Sequence, residues 1–71
     1  MAEEIRAETV ASVMAVSMSE GDAVNDGDSL VLLESLSMEM PVLSEVSGTI
    51  SSIAVKPGDV VEEGDLIAVV E

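Results

Sequence analysis

Apolar and polar positions alternate along the 71-residue chain in short runs, broken by Gly-Asp steps. Leu30 and Leu32, like Ile67 and Val69, recur at every second residue, which predicts strands with these side chains on one face against a core. Upstream, Val13 and Val16 differ in parity, as do Ile50 and Ile53, so an uninterrupted strand would aim each pair at opposite faces. A bulge near Met14-Ala15 and another near Ser51-Ser52 brings them back to one side. The glycines of the Gly-Asp steps are expected at positive φ in turns, with Asp22 and Asp59 accepting hydrogen bonds from nearby backbone N–H groups. No stretch carries an apolar stripe at helical spacing long enough for a helix, and the Val-rich strands joined by tight turns predict an all-β fold.

The pattern also repeats. Gly21-Asp22 recurs 37 residues later as Gly58-Asp59, and Gly27-Asp28 recurs at the same offset as Gly64-Asp65. The offset places Val13 on Ile50, Val24 on Val61, Leu30 on Ile67 and Glu34 on Glu71, so residues 11–34 and 48–71 read as two copies of one unit. Between them a hairpin is expected: a strand from Leu30 to Glu34, a tip over residues 35–38, and a return strand from Met38 to Glu45. Pro41 then belongs on a sheet edge, because it has no N–H for a ladder. Residues 1–71 leave room for one small domain, since a chain of this length buries only about 60 % of its unfolded surface. Duplication puts the ends of the two copies at opposite extremes, so the tip is expected far from the C-terminus. Such a tip suits presentation of a side chain to another protein and not an enclosed active site.

Composition narrows the function classes. With 2 Lys+Arg against 15 Asp+Glu the formal net charge is −13, and such a polyanion cannot release phosphate counterions, which argues against nucleic acid and acidic membranes as partners. The chain has 0 His and 0 Cys, hence no common general base, thiol nucleophile or soft-metal ligand set, and is not expected to be an enzyme or to bind a metal. Asp22 to Leu33 superficially follows a calcium loop, but Val24 and Leu33 occupy two positions that need oxygen ligands. Met14, Met18, Met38 and Met40 read as core filler before a sulfur cluster. At 48 % apolar residues and a mean hydropathy of +0.48 the chain is expected to fold, with a core of Val, Leu, Ile, Met and Ala because aromatic residues are absent. The acidic start of the chain and a longest apolar run of only Leu66 to Val70 predict a soluble, cytoplasmic monomer without a spanning segment.

The two Gly-Asp repeats, the segment Leu30 to Glu34, the tip Glu34-Ser35-Leu36-Ser37-Met38-Glu39 and the following Gly48-Thr49-Ile50 resemble the biotin/lipoyl-attachment domain family over the whole chain. The small stand-alone bacterial biotinylated proteins are the most similar branch. The resemblance implies a flattened barrel of two four-stranded antiparallel sheets with quasi-two-fold symmetry, serving as a non-enzymatic carrier. In biotin carriers the tip reads Glu-Ala/Ser-Met-Lys-Met-Glu, and a biotin protein ligase joins biotin to the lysine for use by carboxylase components. Lipoyl domains usually have Asp before the lysine and Ala after it. Met38 and the continuation Glu39-Met40-Pro41-Val42 therefore favour the biotin branch over a lipoyl-type carrier.

By this resemblance Ser37 occupies the attachment position, and Glu34, Leu36, Met38 and Glu39 are the flanking recognition residues. The chain departs from the motif at two of these, with Ser37 for lysine and Leu36 for methionine. A serine hydroxyl without an activating base is a far weaker nucleophile than a lysine amine, so the chain as written is expected to carry no biotin. Lys56, the one lysine present, reads as a surface residue rather than a replacement acceptor. The alternative is an interaction or decoy module that docks on a ligase or carboxylase without carrying cofactor.

Overall fold

Four turns of one design set the path of the chain in the computed structural model, which describes residues 2–71. Gly21, Gly27, Gly58 and Gly64 have φ of 90°, 94°, 95° and 91°, values a side chain bearing Cβ adopts only under strain. The aspartate after each glycine closes the turn. Its Oδ2 accepts a hydrogen bond from the backbone N–H three residues earlier: Ser19 to Asp22 at 2.9 Å, Asn25 to Asp28 at 2.9 Å, Lys56 to Asp59 at 3.1 Å and Glu62 to Asp65 at 2.8 Å. The N–H of each aspartate donates back to the carbonyl of that same residue. The bonding expected for Asp22 and Asp59 thus also holds at Asp28 and Asp65.

Between the turns run eight strands: β1 (Glu3–Arg6), β2 (Ala11–Val16), β3 (Ala23–Val24), β4 (Ser29–Ser35), β5 (Met38–Leu43), β6 (Gly48–Ile53), β7 (Val60–Val61) and β8 (Leu66–Val70). They form two four-stranded antiparallel sheets, ordered β1-β8-β6-β3 and β5-β4-β2-β7. The short strands cross over: β3 pairs with β6 and β7 with β2, so each copy lends two residues to the other's sheet. This exchange interlocks the halves and gives the fold its quasi-two-fold symmetry. The backbone bonds obey the 37-residue offset, Gly21 N–H donating to Ile50 and Gly58 N–H to Val13.

The equivalence reaches further upstream than the sequence pattern does. Gly27 N–H donates to the Ser44 carbonyl as Gly64 N–H donates to Ala7, and Ser44 and Ala7 are both buried. Glu3 opposite Val70 in the β1–β8 ladder is the twin of Met40 opposite Leu33 in the β5–β4 ladder. The two-fold therefore carries the β4–β5 hairpin onto the pairing of the two chain ends, and only one of the two sites has a turn.

The register shifts at Val13/Ala15 and Ile50/Ser52 are the bulges that parity demanded. A second pair of shifts lies at Ser29/Val31 and Ile5/Arg6, looping out Leu30 and Ile67. These correct the expected alternation. Leu30, Val31 and Leu33 are the buried residues of β4, and Ile67, Ala68 and Val70 those of β8, while Leu32 and Val69 fall on the outer face, half-buried. Together with Val13, Val24, Ile50, Val61 and the small Ala7 and Ala11 they fill the space between the sheets. Burying each of the larger side chains contributes about 1.5–3 kcal/mol.

Pro41 sits on β5, an edge strand, as its missing N–H requires. The return strand stops at Leu43, short of Glu45, because Ser44 turns inward: its N–H donates to the Asp28 carbonyl at 2.9 Å and its hydroxyl to the Val46 carbonyl. Among the described residues no helix is long and apolar enough to cross a membrane.

Candidate functional site: the β4–β5 turn

The hairpin register decides where the candidate residues lie. Leu33 pairs with Met40, Glu34 with Glu39 and Ser35 with Met38, which leaves Leu36 and Ser37 alone as a two-residue loop. Both have positive φ, 52° and 65°, the backbone of a tight hairpin turn that follows the right-handed twist of its strands. Asn and Gly are the residues that take this geometry easily. A leucine here works against its own backbone preference by about 1–2 kcal/mol.

Nothing covers this turn. Leu36 is 95 % exposed and Met38 66 %, two apolar side chains in solvent beside an exposed Ser37. One rung below, Glu34 and Glu39 face each other, placing two carboxylates across the base of the tip. The turn thus gathers Glu34, Leu36, Ser37, Met38 and Glu39 within two rungs of ladder. The loop is narrower than the tip over residues 35–38 that the sequence predicts, since Ser35 and Met38 pair. A two-residue loop centred on 36 and 37 fixes Glu34 opposite Glu39 by counting outwards, and that signal was present in the sequence.

Lys56 lies elsewhere, exposed in the turn between β6 and β7, where its backbone N–H binds Asp59. A cleft runs between the edge strands β1 and β5, lined in part by Ile5, Leu33, Met40 and Val42, and does not include residues 35–38. Among the described residues no group of three or more His, Cys, Asp or Glu is placed to hold a metal ion. The hairpin can present a side chain to a partner's active site, whereas it encloses no reaction volume of its own.

The chain is similar to known proteins in sequence and in fold. Residues 3–70 match the family model described as biotin-requiring enzyme. The chain is 59 % identical over 70 residues to the biotinylated protein TB7.3 homolog of Mycobacterium leprae, covering 99 % of both chains. It is 61 % identical over 44 residues to the corresponding protein of Mycolicibacterium smegmatis, 62 % of each. Among solved structures, the Kluyveromyces lactis urea carboxylase superposes over the whole chain with a TM-score of 0.94 and 35 % identity, the chain spanning 6 % of that protein. The lipoyl domain of the 2-oxoglutarate dehydrogenase complex from Azotobacter vinelandii matches 94 % of this chain and 95 % of its own with a TM-score of 0.77 and 25 % identity. With a family match over nearly its full length, and a relative of equal length at this identity, the chain belongs to the biotin/lipoyl-attachment family.

Proposed function

We propose that the chain is a biotin-carrier-type domain, not itself an enzyme, in which Ser37 stands at the attachment position and no biotin is joined. The observation that carries this reading is the apex itself: residues 36 and 37 form a solvent-exposed two-residue turn, flanked by Met38 and by the Glu34–Glu39 pair. A ligase joins biotin to an amine as an amide. Ser37 offers a hydroxyl instead, and the chain contains 0 His to deprotonate it. Its partners in this reading are a biotin protein ligase and carboxylase components, in the cytoplasm.

The exposed Leu36 and Met38 favour a second reading, in which the tip still docks on a ligase or carboxylase and serves as decoy or assembly element. Intact mass after incubation with a bacterial biotin protein ligase, ATP and biotin tests the first reading. No added mass is expected. An added biotin, located by peptide mass at Lys56 or the amino terminus, would contradict it. Slowed biotinylation of a lysine-bearing carrier in the presence of excess chain would select the decoy.

A further inference from the structure

The two-fold that carries β5 onto β1 relates two sheet edges that are not chemically alike. Each strand is the outermost of its sheet, and the cleft between them has Ile5, Met40 and Val42 in its wall, half-buried against the core. A two-residue loop makes Ser35–Met38 a hydrogen-bonded pair, and bonded and non-bonded pairs alternate from there, so the backbone groups of the Leu32–Pro41 pair point outward. Pro41 thus turns a nitrogen without hydrogen to the free side of β5. Its twin is Glu4, opposite Val69 as Pro41 is opposite Leu32. By the same alternation Glu4 aims its N–H and its carbonyl away from β8, and among the described residues β1 pairs with no other strand. One edge is closed at its centre and the other is open.

Charge indicates what the open edge accepts. Glu3, Glu8, Asp26 and Glu45 border the cleft, and among the described residues none of their carboxylates takes part in a hydrogen bond or an ion pair. Arg6, the one cation there, is already held by Glu4 at 2.7 Å and by the Gly64 carbonyl at 2.8 Å. A second copy of the chain would bring the same carboxylates and a further charge of −13, so self-pairing at this edge is opposed. A cationic strand meets the opposite condition.

We infer that the β1 edge is a docking site for an extended basic segment of another protein, in which lysine or arginine alternates with apolar residues. The segment adds as a strand beside β1 and takes up the outward N–H and carbonyl of Glu4. Its apolar side chains cover Ile5 and Met40, and its cations reach the unpaired carboxylates around the cleft. A short, charged edge repels acidic and purely apolar strands, so the features that guard β1 against indiscriminate pairing also select this partner. Neither the open edge nor its charge depends on what the turn at residues 36 and 37 carries.

The test uses two acetylated octapeptides, one alternating lysine with valine and one alternating glutamate with valine. Each is titrated into the isotope-labelled chain at ~0.15 M salt, where a Debye length of about 8 Å screens unspecific attraction. The lysine peptide is expected to shift the amides of Glu3 to Arg6, Met40 and Val42 and to slow hydrogen exchange at the Glu4 amide, while the glutamate peptide does neither. Glu4→Pro copies the closed edge of the twin and should abolish binding, whereas Glu4→Gln keeps the N–H and should bind within about threefold of the parent. Glu3→Gln with Glu45→Gln should weaken binding about tenfold. Equal binding of the two peptides, no shift with either, shifts located away from β1, or a folded Glu4→Pro chain that binds like the parent would each overturn the assignment. If Glu4→Pro does not fold, exchange at Glu4 in the unsubstituted chain decides, and an amide no slower with the lysine peptide than without it overturns the assignment as well.

Discussion

Glu34 and Glu39 sit directly opposite each other in the β4–β5 ladder, one rung below the Ser35–Met38 pair that closes the turn. Like charges facing across strands destabilise a hairpin. Ser37→Lys, at an exposed loop position with no cross-strand partner, should leave the fold intact and its stability within about ±0.5 kcal/mol. A urea melt checks this. A loss of more than about 1 kcal/mol would show that the turn cannot seat a long side chain, because exposed substitutions usually stay within about ±0.5 kcal/mol.

The same turn is strained by its residue types. Leu36 and Ser37 hold φ of 52° and 65° without the Asn-Gly pair that such a turn favours. Replacing them as Leu36→Asn with Ser37→Gly should stabilise the protein by about 1 kcal/mol, read as a higher melting temperature. An unchanged or lowered temperature would mean that the turn adopts another geometry.

The four Gly-Asp turns share one design, so equal damage is expected at each. Asp22→Ala, Asp28→Ala, Asp59→Ala and Asp65→Ala each remove one hydrogen bond to a backbone N–H and should cost about 0.5–1.5 kcal/mol. Gly21→Val and Gly58→Val force a β-branched residue to φ near 90° and should cost about 1–2 kcal/mol or more. Melting curves of all six variants matching the parent would refute the turn assignment.

These turns were legible because Gly and Asp each carry a local conformational reason for their place. The bulges at Met14 and Ser51 were legible too, since Val13 and Val16 cannot share a face without one. The bulges at Leu30 and Ile67 were not: both residues stay buried when looped out, so the apolar pattern gives no sign of the shift and instead suggests Leu32 and Val69 for the core. The exchange of β3 and β7 between sheets involves two residues each, too few for any periodicity to register. The β1–β5 equivalence was hidden because Glu3-Glu4-Ile5-Arg6 and Met40-Pro41-Val42-Leu43 share only an apolar third residue. At the tip, the candidate residues came from family resemblance, and the Glu34–Glu39 pairing needed only the loop length.

Gly48 breaks the symmetry in a way that can be tested. Its φ is unexceptional, but a Cβ there would overlap the backbone carbonyl oxygen of Glu71 and touch Val70 Cγ1. Its twin is Ala11, which is buried. Gly48→Ala should cost about 1–3 kcal/mol by overpacking. A neutral result in a urea melt would show that the end of β8 yields freely.

Net charge should also be felt by the whole body. With −13 on 71 residues, and Arg6–Glu4 the one salt bridge among the described residues, self-repulsion opposes the compact state. Raising neutral salt shortens the Debye length from about 30 Å at 0.01 M to about 8 Å at 0.15 M and should raise the melting temperature. A melting temperature unmoved across that range would show that the acids are compensated locally.

The attachment role of the turn is tested most directly by restoring the missing amine and weighing the product. Ser37→Lys, incubated with a bacterial biotin protein ligase, ATP and biotin, is predicted to gain the mass of one biotin, while the unsubstituted chain gains none. Adding Leu36→Met should increase the rate. A double variant that folds, by its urea melt, and is accepted by neither a biotin nor a lipoate ligase would contradict the carrier reading of the β4–β5 turn.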